Sequence, residues 1–590
     1  TLAAVFVPIS FLPGQAGGIF GEFGFVLAFS VALSSFVALT LCPALCALLD
    51  PGKPTATGAS SVREDDLRGL SKWFGKLVDQ VVRWRWPVIL GALVFAGVSL
   101  SLYAVLPQEL TPSEDRGTII IALRTPASAS LEYTSAQAGE VERVLQPLVS
   151  AGEVVAVQSM IGLRATNTAL IFVRLASWEA RERTQQQITA QIAPILRRIP
   201  GAIISLRSPN SLGIRGAGRG VQFAVVGRDF EVLGELATAL IELMEQDPAF
   251  ASPQLENEID QPQLLLEVDR DQAANLGISP RNVVEALNTY IDGNVVSEIF
   301  RGNEAIDVRL EVGGRPVNDQ GDLENLFLQA DSGQFVPMSA VAELSVSAAA
   351  ARLNREGREQ AVTAQANLGR GVDLGTAVER LREIAPQVLA DRGRLVFLGE
   401  AATLETSQSA TLWVFATALL VILLVLAAQF ESFASAVIIL ITVPCGLATA
   451  LLSIYVTGGS LNYYSQIGLV ILVGIMAKNG ILIVEFANQL RQAGAGVDEA
   501  IRDAMRIRLK PVIMTMASTV AGSIPLVLAT GAGSEARSAV GWVVVGGLGL
   551  ATIFTLLLTP AVYRVIAPLA GPPGGAIERL DKEIAGANIS

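Results

Sequence analysis

Residues 465 to 490 of the chain read SQIGLVILVGIMAKNGILIVEFANQL. This stretch is long enough to cross a bilayer as one helix, because about 20 apolar residues span the hydrocarbon core. It carries a lysine, Lys478, near its middle, where a charge costs roughly 3 kcal/mol on insertion scales. We therefore expect Lys478 to face the interior of a helical bundle, to pair with an acid and to serve an ion or proton relay. A lysine that reaches back to the membrane surface fits poorly with the apolar residues on both sides.

The composition divides the chain into two apolar blocks around a polar one. Of 590 residues, 51% are hydrophobic and 17% charged, and the mean hydropathy of +0.48 is too high for an ordinary soluble protein. The formal net charge of -12 comes mainly from residues 108 to 408, which argues against a nucleic-acid partner. The chain has no histidine, which excludes a Ser-His-Asp triad, the usual zinc sites and a histidine proton shuttle. Cys42, Cys46 and Cys445 lie in apolar segments and predict neither disulfides nor a metal cluster.

Apolar segments of spanning length recur on both sides of the polar middle. Residues 1 to 12 predict the end of one membrane helix rather than a signal peptide, because no charged n-region precedes them. Complete spans are predicted at 20 to 48 and 87 to 106, and then near 409 to 429, 433 to 457, 465 to 490, 511 to 530 and 538 to 566.

The segment between the first two complete spans, residues 49 to 86, joins a polar linker to an amphipathic pattern. Its apolar residues recur at helical spacing: Leu67, Leu70, Trp73, Phe74, Leu77, Val78 and Val81. With basic residues between them, this pattern predicts a helix lying on the membrane surface. An amphipathic helix packed on a protein core has the same pattern, and the sequence does not separate the two.

The basic residues indicate how the chain is oriented. The 49 to 85 loop holds seven Lys and Arg residues and the 491 to 510 loop holds five, whereas the loops at 12 to 19, 458 to 464 and 531 to 536 hold none. By the positive-inside rule the two basic loops are cytoplasmic. The large polar segment is therefore expected outside the cytoplasm.

The two apolar blocks contain a repeat at an offset of 517 residues. Pro8 and Pro43 match Pro525 and Pro560, while Gly14, Gly24 and Ala44 match Gly531, Gly541 and Ala561. Repeated halves are a common way to build transporters around a site at the membrane midplane. The counterpart of the Lys478 helix is accordingly expected upstream of Thr1. The alternative is coincidence among residue types that are common in membrane helices.

The polar segment alternates strand and helix patterns. Strands at 117 to 124 and 169 to 175, helices at 130 to 149 and 183 to 198, and the strands EVVAVQSM and AIISLRS predict a β-α-β-β-α-β unit. A second copy is predicted from GVQFAVVG, a helix at 229 to 247, PQLENEI, QLLLEVD and a short helix, resumed by EQAVTAQANL, a helix at 373 to 391 and RLVFL. A β-rich subdomain over 290 to 350 interrupts it.

Three long motifs carry a family resemblance: GIMAKNGILIVEFANQL, RIRLKPVIMTMASTVAGSIPLVLATGAGSEARSAVG and AAVFVPISFLPGQAGGIFGEF. They resemble those of resistance-nodulation-division (RND) inner-membrane efflux pumps of the hydrophobe/amphiphile, Acr-like multidrug type. The resemblance covers essentially the whole chain and implies its fold class, an α-helical integral membrane bundle with α+β periplasmic domains, namely two split βαβ, ferredoxin-like porter subdomains and a β-rich docking insertion.

The implied domains run along the chain in order. They are 1–48 (the end of one membrane helix and one full helix), 49–86 (cytoplasmic linker and interfacial helix), 87–107 (membrane helix), 108–215 (first porter subdomain), 216–289 with 351–405 (second porter subdomain), 290–350 (docking insertion), 406–570 (five membrane helices) and 571–590 (cytoplasmic tail).

The resemblance also implies a function and partners. The protein would be a secondary active transporter rather than an enzyme, a homotrimer in the Gram-negative inner membrane, driven by the proton gradient without cofactor or metal. It would export amphiphilic small molecules, in contact with membrane lipids, through a periplasmic adaptor protein and an outer-membrane channel. The family's first half, with a pair of aspartates opposite the lysine, is expected upstream of Thr1, so the chain is expected to be a C-terminal portion that is inactive alone.

Motif by motif, Lys478 resembles the relay lysine, Arg508 the arginine at the cytoplasmic entrance, and Thr515 the threonine one helical step inward. Arg508 and Thr515 are seven residues apart, within about 20° on a helix, so both could face Lys478. Glu485 follows Lys478 by seven residues and is either a second relay group or a solvated end of the helix.

One departure from the family bears on the substrate. MIGLRATNTAL (160 to 170) is shorter than the phenylalanine-rich loop of drug pumps, and Phe172 alone resembles a pocket aromatic. A Cu/Ag exporter remains an alternative, although Met160, Met244 and Met338 are dispersed in sequence. A protein-translocation accessory, a lipid-sensing protein or a scaffold without transport on a similar bundle are alternatives of other classes.

Overall fold

The structure, a computed structural model, describes residues 14–49 and 65–570 apart from 127, 164, 210–211, 213–217, 219, 257–260, 312, 314–319, 325 and 350–352. The predicted helix end at 1 to 12 and the tail 571–590 lie outside the described residues. The described helices are α1 (Gly14–Leu49), α2 (Asp65–Arg83), α3 (Arg85–Ser101), α4 (Leu131–Ser150), α5 (Gln185–Leu196), α6 (Phe230–Glu245), α7 (Arg270–Asn275), α8 (Pro280–Ile291), α9 (Gln320–Glu324), α10 (Leu374–Leu389), α11 (Gly399–Phe430), α12 (Phe433–Leu440), α13 (Val443–Val456), α14 (Tyr463–Gln492), α15 (Val497–Val527) and α16 (Ser534–Ile566).

The described strands are β1 (Thr118–Arg124), β2 (Val154–Ile161), β3 (Thr168–Leu175), β4 (Ile203–Arg207), β5 (Val221–Gly227), β6 (Phe250–Leu255), β7 (Gln261–Val268), β8 (Asn294–Arg301), β9 (Glu304–Leu310), β10 (Phe327–Gln329), β11 (Phe335–Pro337), β12 (Ala342–Ala349), β13 (Asn354–Glu356), β14 (Glu359–Leu368) and β15 (Arg394–Leu398).

Six helices of the described part are long and apolar enough to cross a membrane. They are Gly21–Leu49, Arg85–Ala104, Phe433–Val456, Tyr463–Gln492, Val497–Val527 and Ser534–Leu569, and Phe415–Phe430 is a shorter apolar segment at the end of α11. We call the spans from α3 and from α11 to α16 the membrane bundle. Helix α16 packs against α13, α14 and α15, and α3 packs against α13 and α16.

Small residues allow the helices of the bundle to approach closely. A Cβ atom at Gly546 of α16 would lie 2.0 Å from Oγ of Ser453 in α13, and one at Gly468 of α14 would lie 2.9 Å from Cβ of Val543. Apolar surface alone does not drive helices together in lipid, so close packing of this kind holds membrane helices in place.

The span predicted at 433 to 457 is interrupted. Helix α12 ends at Leu440 and α13 begins at Val443, with Pro444 in its first turn. Proline lacks an N–H and disfavours helical geometry at the residue before it, so the first turn of a new helix is where it is tolerated. The hydroxyl of Thr442 donates to the carbonyl of Ile439 at 2.7 Å and satisfies an acceptor at the break.

Helix α15 starts fourteen residues before the span predicted at 511 to 530, at Val497, and continues through Pro511. Arg508 therefore lies inside a helix rather than in a loop. Helix α11 likewise starts at Gly399, well before the predicted span at 409 to 429, and follows strand β15 directly.

The amphipathic helix α2 lies against the bundle. Its apolar residues Phe74, Val78, Val81 and Val82 are buried, and it packs on α15 and α16. Arg502 of α15 pairs with Asp79 of α2 at 2.8 Å. These four residues are thus covered by protein, as in the packed-helix alternative, whereas Trp73 is 61% exposed, and a position of α2 on the membrane surface stays a prediction.

The repeat is visible in the helices themselves. At the offset of 517, α1 corresponds to residues 531–566, and α16 is Ser534–Ile566. Each carries a proline at the matched position, Pro43 and Pro560. No residue in the best 18-residue window of α1 is buried, whereas 44% are buried in the α16 span, so the two repeats have different surroundings in this chain.

The first α/β unit comprises β1 to β4 with α4 and α5. Its strand order is β2-β3-β1-β4, and every neighbouring pair is antiparallel. Strand β1 alternates buried and half-buried residues, so one face meets the two helices. The core joins Ile119 and Ile121 of β1 to Val141 of α4 and Ile188 of α5. Strand β3 separates β1 from β2, which is the split βαβ arrangement.

The second α/β unit repeats this topology with β5, β6, β14 and β15. Strand β5 lies between β14 and β15, and β6 pairs with the other side of β14. The order β6-β14-β5-β15 therefore corresponds to the order β2-β3-β1-β4 of the first unit. Helices α6 and α10 pack on this sheet. The inserted unit lies between β6 and β14 in the chain.

The inserted unit begins earlier than predicted. Strand β7 (QPQLLLEV) pairs with β12 rather than with the second sheet. Ala273, Ile278 and Val283, which follow β7, share a core with Leu328 and Met338. Residues 261–289 therefore pack with the insertion, so the boundary at 290 was wrong. A strand pattern shows that a segment is extended but not which sheet it joins.

The first α/β unit also contacts the bundle directly. The backbone N–H of Asp115 donates to Oε1 of Glu535, in the first turn of α16, at 3.3 Å. The N–H of Gly533 donates in return to the carbonyl of Asp115 at 3.3 Å. The loop before α16 is therefore attached to the segment that enters the first sheet.

Candidate functional site: the lysine helix and its neighbours

Lys478 lies halfway along α14, the span of the described part that other helices enclose most. In the most apolar 18-residue stretch of α14, 72% of the residues are buried. Met476, Ala477 and Asn479 beside the lysine are buried, whereas the side chain of Lys478 is exposed. No carboxylate of the described residues forms an ion pair with it. The lysine therefore projects from the open side of an otherwise packed helix, and its acidic partner stays a prediction.

Glu485 lies on the same open side, two turns further along α14, and is also exposed. No salt bridge of the described residues involves it. Its position fits both a relay group and a solvated end of the helix, so both interpretations stand.

Arg508 is held against the lysine helix by an aromatic ring. Its guanidinium carbon lies 4.6 Å above the ring centroid of Phe486 in α14, within the range of a cation–π interaction. Its Nε is buried and meets no acceptor among the described residues. Phe486 follows Lys478 by eight residues, so Arg508 lies about 12 Å from the lysine along the axis of α14. The structure thus brings Arg508 to the right helix, two turns from the lysine.

Thr515 lies two turns from Arg508 on α15 and is half-buried. Its hydroxyl donates to the carbonyl of Val512 at 3.0 Å. The hydroxyl of Thr519 donates to the carbonyl of Thr515 and that of Ser523 to the carbonyl of Thr519, each at 2.9 Å. The three hydroxyls form a row along α15. The described hydroxyl of Thr515 donates to its own helix and not to Lys478, so their pairing stays a prediction.

A buried polar network on α14 was missed in the sequence. Nδ2 of Asn488 donates to Oγ of Ser435 in α12 at 3.1 Å, and the hydroxyl of Tyr563 in α16 donates to Oδ1 of Asn488 at 2.8 Å. One turn on, Arg491 donates to the carbonyl of Ala567 at 3.3 Å. The sequence feature that could have indicated the network is Asn488, a polar residue in the stretch EFANQL that follows Lys478 on the same span. The network fixes the rotation of the lysine helix against two neighbours.

Phe172 lies in the middle of β3, away from the lysine. It stands opposite Ile120 of β1 and Gln158 of β2. Its neighbours Ile171 and Val173 point into the core of the first unit, so Phe172 points to the other face, where it and Ile120 are half-buried. Phe172 and Ile120 thus give that face a partly apolar surface.

The three methionines considered for a soft-metal site do not converge. Met160 lies on β2, Met244 is buried in the core beneath the second sheet, and Met338 is buried in the inserted unit. No group of three or more His, Cys, Asp or Glu side chains of the described residues could hold a metal ion. A copper or silver site needs several soft ligands at one point.

The chain combines a bundle of spanning helices, a lysine at mid-span and two α/β units of the same topology. This combination defines a polytopic membrane protein of the transporter class. Comparison with known proteins agrees. The chain is 31% identical over 579 residues to an uncharacterized transporter of Haemophilus influenzae, an alignment that covers 96% of this chain and 55% of that protein. It is 29% identical to the multidrug resistance protein MdtC of Erwinia tasmaniensis, over 97% of this chain and 56% of the relative.

A solved structure shows the same fold. The crystal structure of a heavy metal efflux pump superposes with a TM-score of 0.80 at 24% identity, over 96% of this chain and 58% of the pump. The model of the AcrB/AcrD/AcrF family matches residues 1–567. The chain belongs to this family of RND transporters. It spans about half the length of the curated relatives that it matches.

Proposed function

We propose that the protein containing this chain is a proton-driven exporter of amphiphilic small molecules in the inner membrane of a Gram-negative cell, with Lys478 as the cation of its proton relay. The observation that supports this proposal most is the position of Lys478. A lysine at the centre of a packed spanning helix, open on one side, is costly unless an acid approaches from that side. An acid that alternates between pairing with Lys478 and carrying a proton would convert proton passage into helix movement.

Arg508 and Thr515 fit a path that leads from one end of α15 towards Lys478. Arg508 lies in the part of α15 that follows the basic loop, where its charge is shielded by Phe486. The hydroxyls of Thr515, Thr519 and Ser523 continue along the helix at intervals of one turn. Hydroxyls that hydrogen-bond their own helix can turn to bind water, so this row could hold a chain of water molecules.

The remaining parts of the proposal concern the outside of the membrane. The two α/β units would be ferredoxin-like porter subdomains in the periplasm and the inserted unit would dock to partners, because the basic residues lie at the opposite ends of the helices. The half-buried face around Phe172 would form part of the substrate path. A homotrimer with a periplasmic adaptor and an outer-membrane channel follows from the family as a whole.

The test uses the longer protein in cells that lack other exporters. Lys478→Ala should abolish export of a fluorescent amphiphilic dye while expression and assembly stay intact, because the acid then loses the cation that favours its ionised form. Lys510→Ala is the matched control, since Lys510 is an exposed lysine on the adjacent helix, and export should persist. Normal export by Lys478→Ala would contradict the relay.

Two further measurements separate the alternatives. Collapsing the proton gradient should stop export, whereas a scaffold, a lipid sensor or a translocation accessory would show no such dependence. Copper and silver tolerance should be the same with and without the protein. A loss of metal tolerance on deletion would favour a metal exporter, although Met160, Met244 and Met338 lie in separate units.

A further inference from the structure

The sheet of the first α/β unit has one face that packs on α4 and α5 and an opposite face. Ile119, Ile121 and Leu123 of β1 belong to the core on the helix side. Because side chains alternate along a strand, the residues between them point to the opposite side, which we call the outer face. By the register of the four strands, the outer face comprises Thr118, Ile120, Ala122 and Arg124 of β1, Ala156, Gln158 and Met160 of β2, Thr168, Leu170, Phe172 and Arg174 of β3, and Ile203, Ser205 and Arg207 of β4.

The charges on the outer face are all of one sign. Arg124, Arg174 and Arg207 lie on it, and none of the outer-face residues is Asp or Glu. The whole chain has a formal net charge of -12, so the sign of this face is opposite to that of the protein. Arg174 is exposed, and Arg124 and Arg207 are half-buried. The outer face is therefore a basic surface on an acidic chain.

The three arginines surround an apolar centre. Phe172 stands opposite Ile120, and Ile120 stands opposite Arg207 on its other side. Arg174 follows Phe172 by two residues on β3, and Arg124 follows Ile120 by four residues on β1. With strands about 4.8 Å apart and a rise of about 3.4 Å per residue, each arginine Cα lies within about 15 Å of the Phe172 Cα. The face thus offers positive charge beside an apolar surface.

Arg124 also places the outer face at the border between the two α/β units. Its Nη1 donates to the carbonyl of Leu255 at 3.0 Å and its Nη2 to the carbonyl of Glu256 at 2.5 Å, where β6 of the second unit ends. Both acceptors are neutral, and no ion pair of the described residues involves Arg124. The guanidinium therefore keeps its charge and has further N–H groups to donate. Borders between domains are common places for small-molecule sites.

We propose that the outer face binds amphiphiles with an anionic head, with the head among Arg124, Arg174 and Arg207 and the apolar body on Phe172 and Ile120. A guanidinium matches the oxygens of a carboxylate or sulfonate in shape and charge. A cationic head would meet like charges at this face, and a neutral head would gain no ion pair. The inference rests on the proposed function in one respect, since it makes anionic amphiphiles the preferred substrates of the exporter.

Two fluorescent amphiphiles that differ in one group test the proposal. Anilinonaphthalene sulfonate carries a sulfonate, and phenylnaphthylamine has the same rings without it. Both are titrated against the longer protein in nanodiscs of zwitterionic lipid, and the signal of empty nanodiscs is subtracted. Affinity for the sulfonate probe should fall about tenfold in Arg124→Gln and in Arg207→Gln, and about threefold in Arg174→Gln because that arginine is exposed. Affinity for the neutral probe should change by less than about twofold in all three, since it makes no charged hydrogen bond.

Two further variants separate charge from structure. Arg143→Gln is the matched control, because Arg143 is an exposed arginine on α4, on the helix side of the same sheet, and both affinities should equal those of the wild type. Arg124→Lys keeps the charge and should retain most of the affinity for the sulfonate probe. A loss as large as in Arg124→Gln would overturn the charge role of Arg124. Because Arg174 is exposed, Arg174→Gln decides if the other variants do not fold.

Export of the two probes distinguishes this inference from the proposed function. Lys478→Ala should lose export of both probes and keep the arginine-dependent binding of the sulfonate probe. Wild-type affinity for the sulfonate probe in all three glutamine variants, with export still driven by the proton gradient, would overturn the inference and leave the proposed function intact. Arginine-dependent binding in a wild type that exports neither probe would support the anion site and contradict the proposed function.

Discussion

Arg181 donates two hydrogen bonds to the carboxylate of Asp115, at 3.1 and 3.2 Å, and neither side chain is more than 2% exposed. The same carboxylate accepts hydrogen bonds from the N–H groups of Gly117 and Gln185. Because the backbone of Asp115 also contacts Gly533 and Glu535, this ion pair stabilises the attachment of the first unit to the bundle.

Removing one partner of this pair should be costly. Arg181→Ala leaves the Asp115 carboxylate buried without its cation and is expected to lower the free energy of unfolding by about 3–5 kcal/mol. Thermal or denaturant unfolding in nanodiscs measures the loss. The control is Arg143→Ala, whose pair with Glu140 is exposed and should contribute less than about 1 kcal/mol. Equal effects of the two substitutions would contradict this assignment.

A methyl group at a close contact between two helices should weaken the bundle. The Cβ atom of Gly546→Ala would meet Oγ of Ser453 at 2.0 Å, and Ser453 is held by its hydrogen bond to the carbonyl of Trp542. Overpacking of this kind costs about 1–3 kcal/mol. Gly549→Ala, on the same helix with nothing within 4 Å, should be neutral or stabilising, because alanine favours the helix. Comparing the melting temperatures of the two variants decides the matter.

The buried network on the lysine helix gives a third prediction. Tyr563→Phe removes the donor to Oδ1 of Asn488 and should cost about 1–3 kcal/mol, because a buried acceptor is left without its partner. Tyr455→Phe, at an exposed tyrosine, should change stability by less than about 0.5 kcal/mol. If both variants unfold alike, the hydrogen bond does not stabilise the bundle.

A fourth prediction concerns pH and the second unit. The N–H of Ala249 and the guanidinium of Arg380 hold the pKa of Asp247 below its ordinary 3.8, although burial acts against them. A carboxyl with a lowered folded pKa stabilises the fold above its unfolded pKa, and that contribution is lost as the pH falls through the folded value. Asp247→Asn should therefore be less stable than the wild type at pH 7, and the difference should shrink below about pH 4.

Unfolding at a series of pH values measures that difference. Arg380→Ala serves as the companion variant: it removes one of the two partners that lower the folded pKa, so the loss of stability in acid should be smaller than in the wild type and should be complete at a higher pH. A difference between Asp247→Asn and the wild type that does not change with pH would show that the carboxylate charge is not responsible.

Local patterns predicted much of the fold, and the assignment of strands to sheets shows where they fail. The alternation in β1 and β3 and the helical repeat in α4 and α5 are short-range, so the elements of the first unit were found within a few residues. Strand β7 pairs with β12, which follows it by more than 70 residues in the chain. No local pattern encodes a pairing between segments so far apart. The sheet to which residues 261–289 belong was therefore misassigned.

The candidate site was limited in the same way. Helical geometry placed Arg508 and Thr515 on one side of α15, and both are half-buried on one helix. The residue of α14 that lies beside Arg508 depends on how far the two helices are shifted along each other, and the structure has Phe486 there rather than Lys478.

Strand β15 ends at Leu398, and α11 begins at the next residue, Gly399. The backbone changes from extended to helical at Gly399, whose φ is +56°. Residues Arg394 to Leu398 of β15 are hydrogen-bonded to β5 in the middle of the second sheet. A helix joined to a sheet without a loop cannot turn about its own axis independently. Any torque on the membrane end of α11 must therefore shear β15 against β5 or rotate the whole second unit, so twisting motions in the bundle reach the α/β units without passing through a flexible linker.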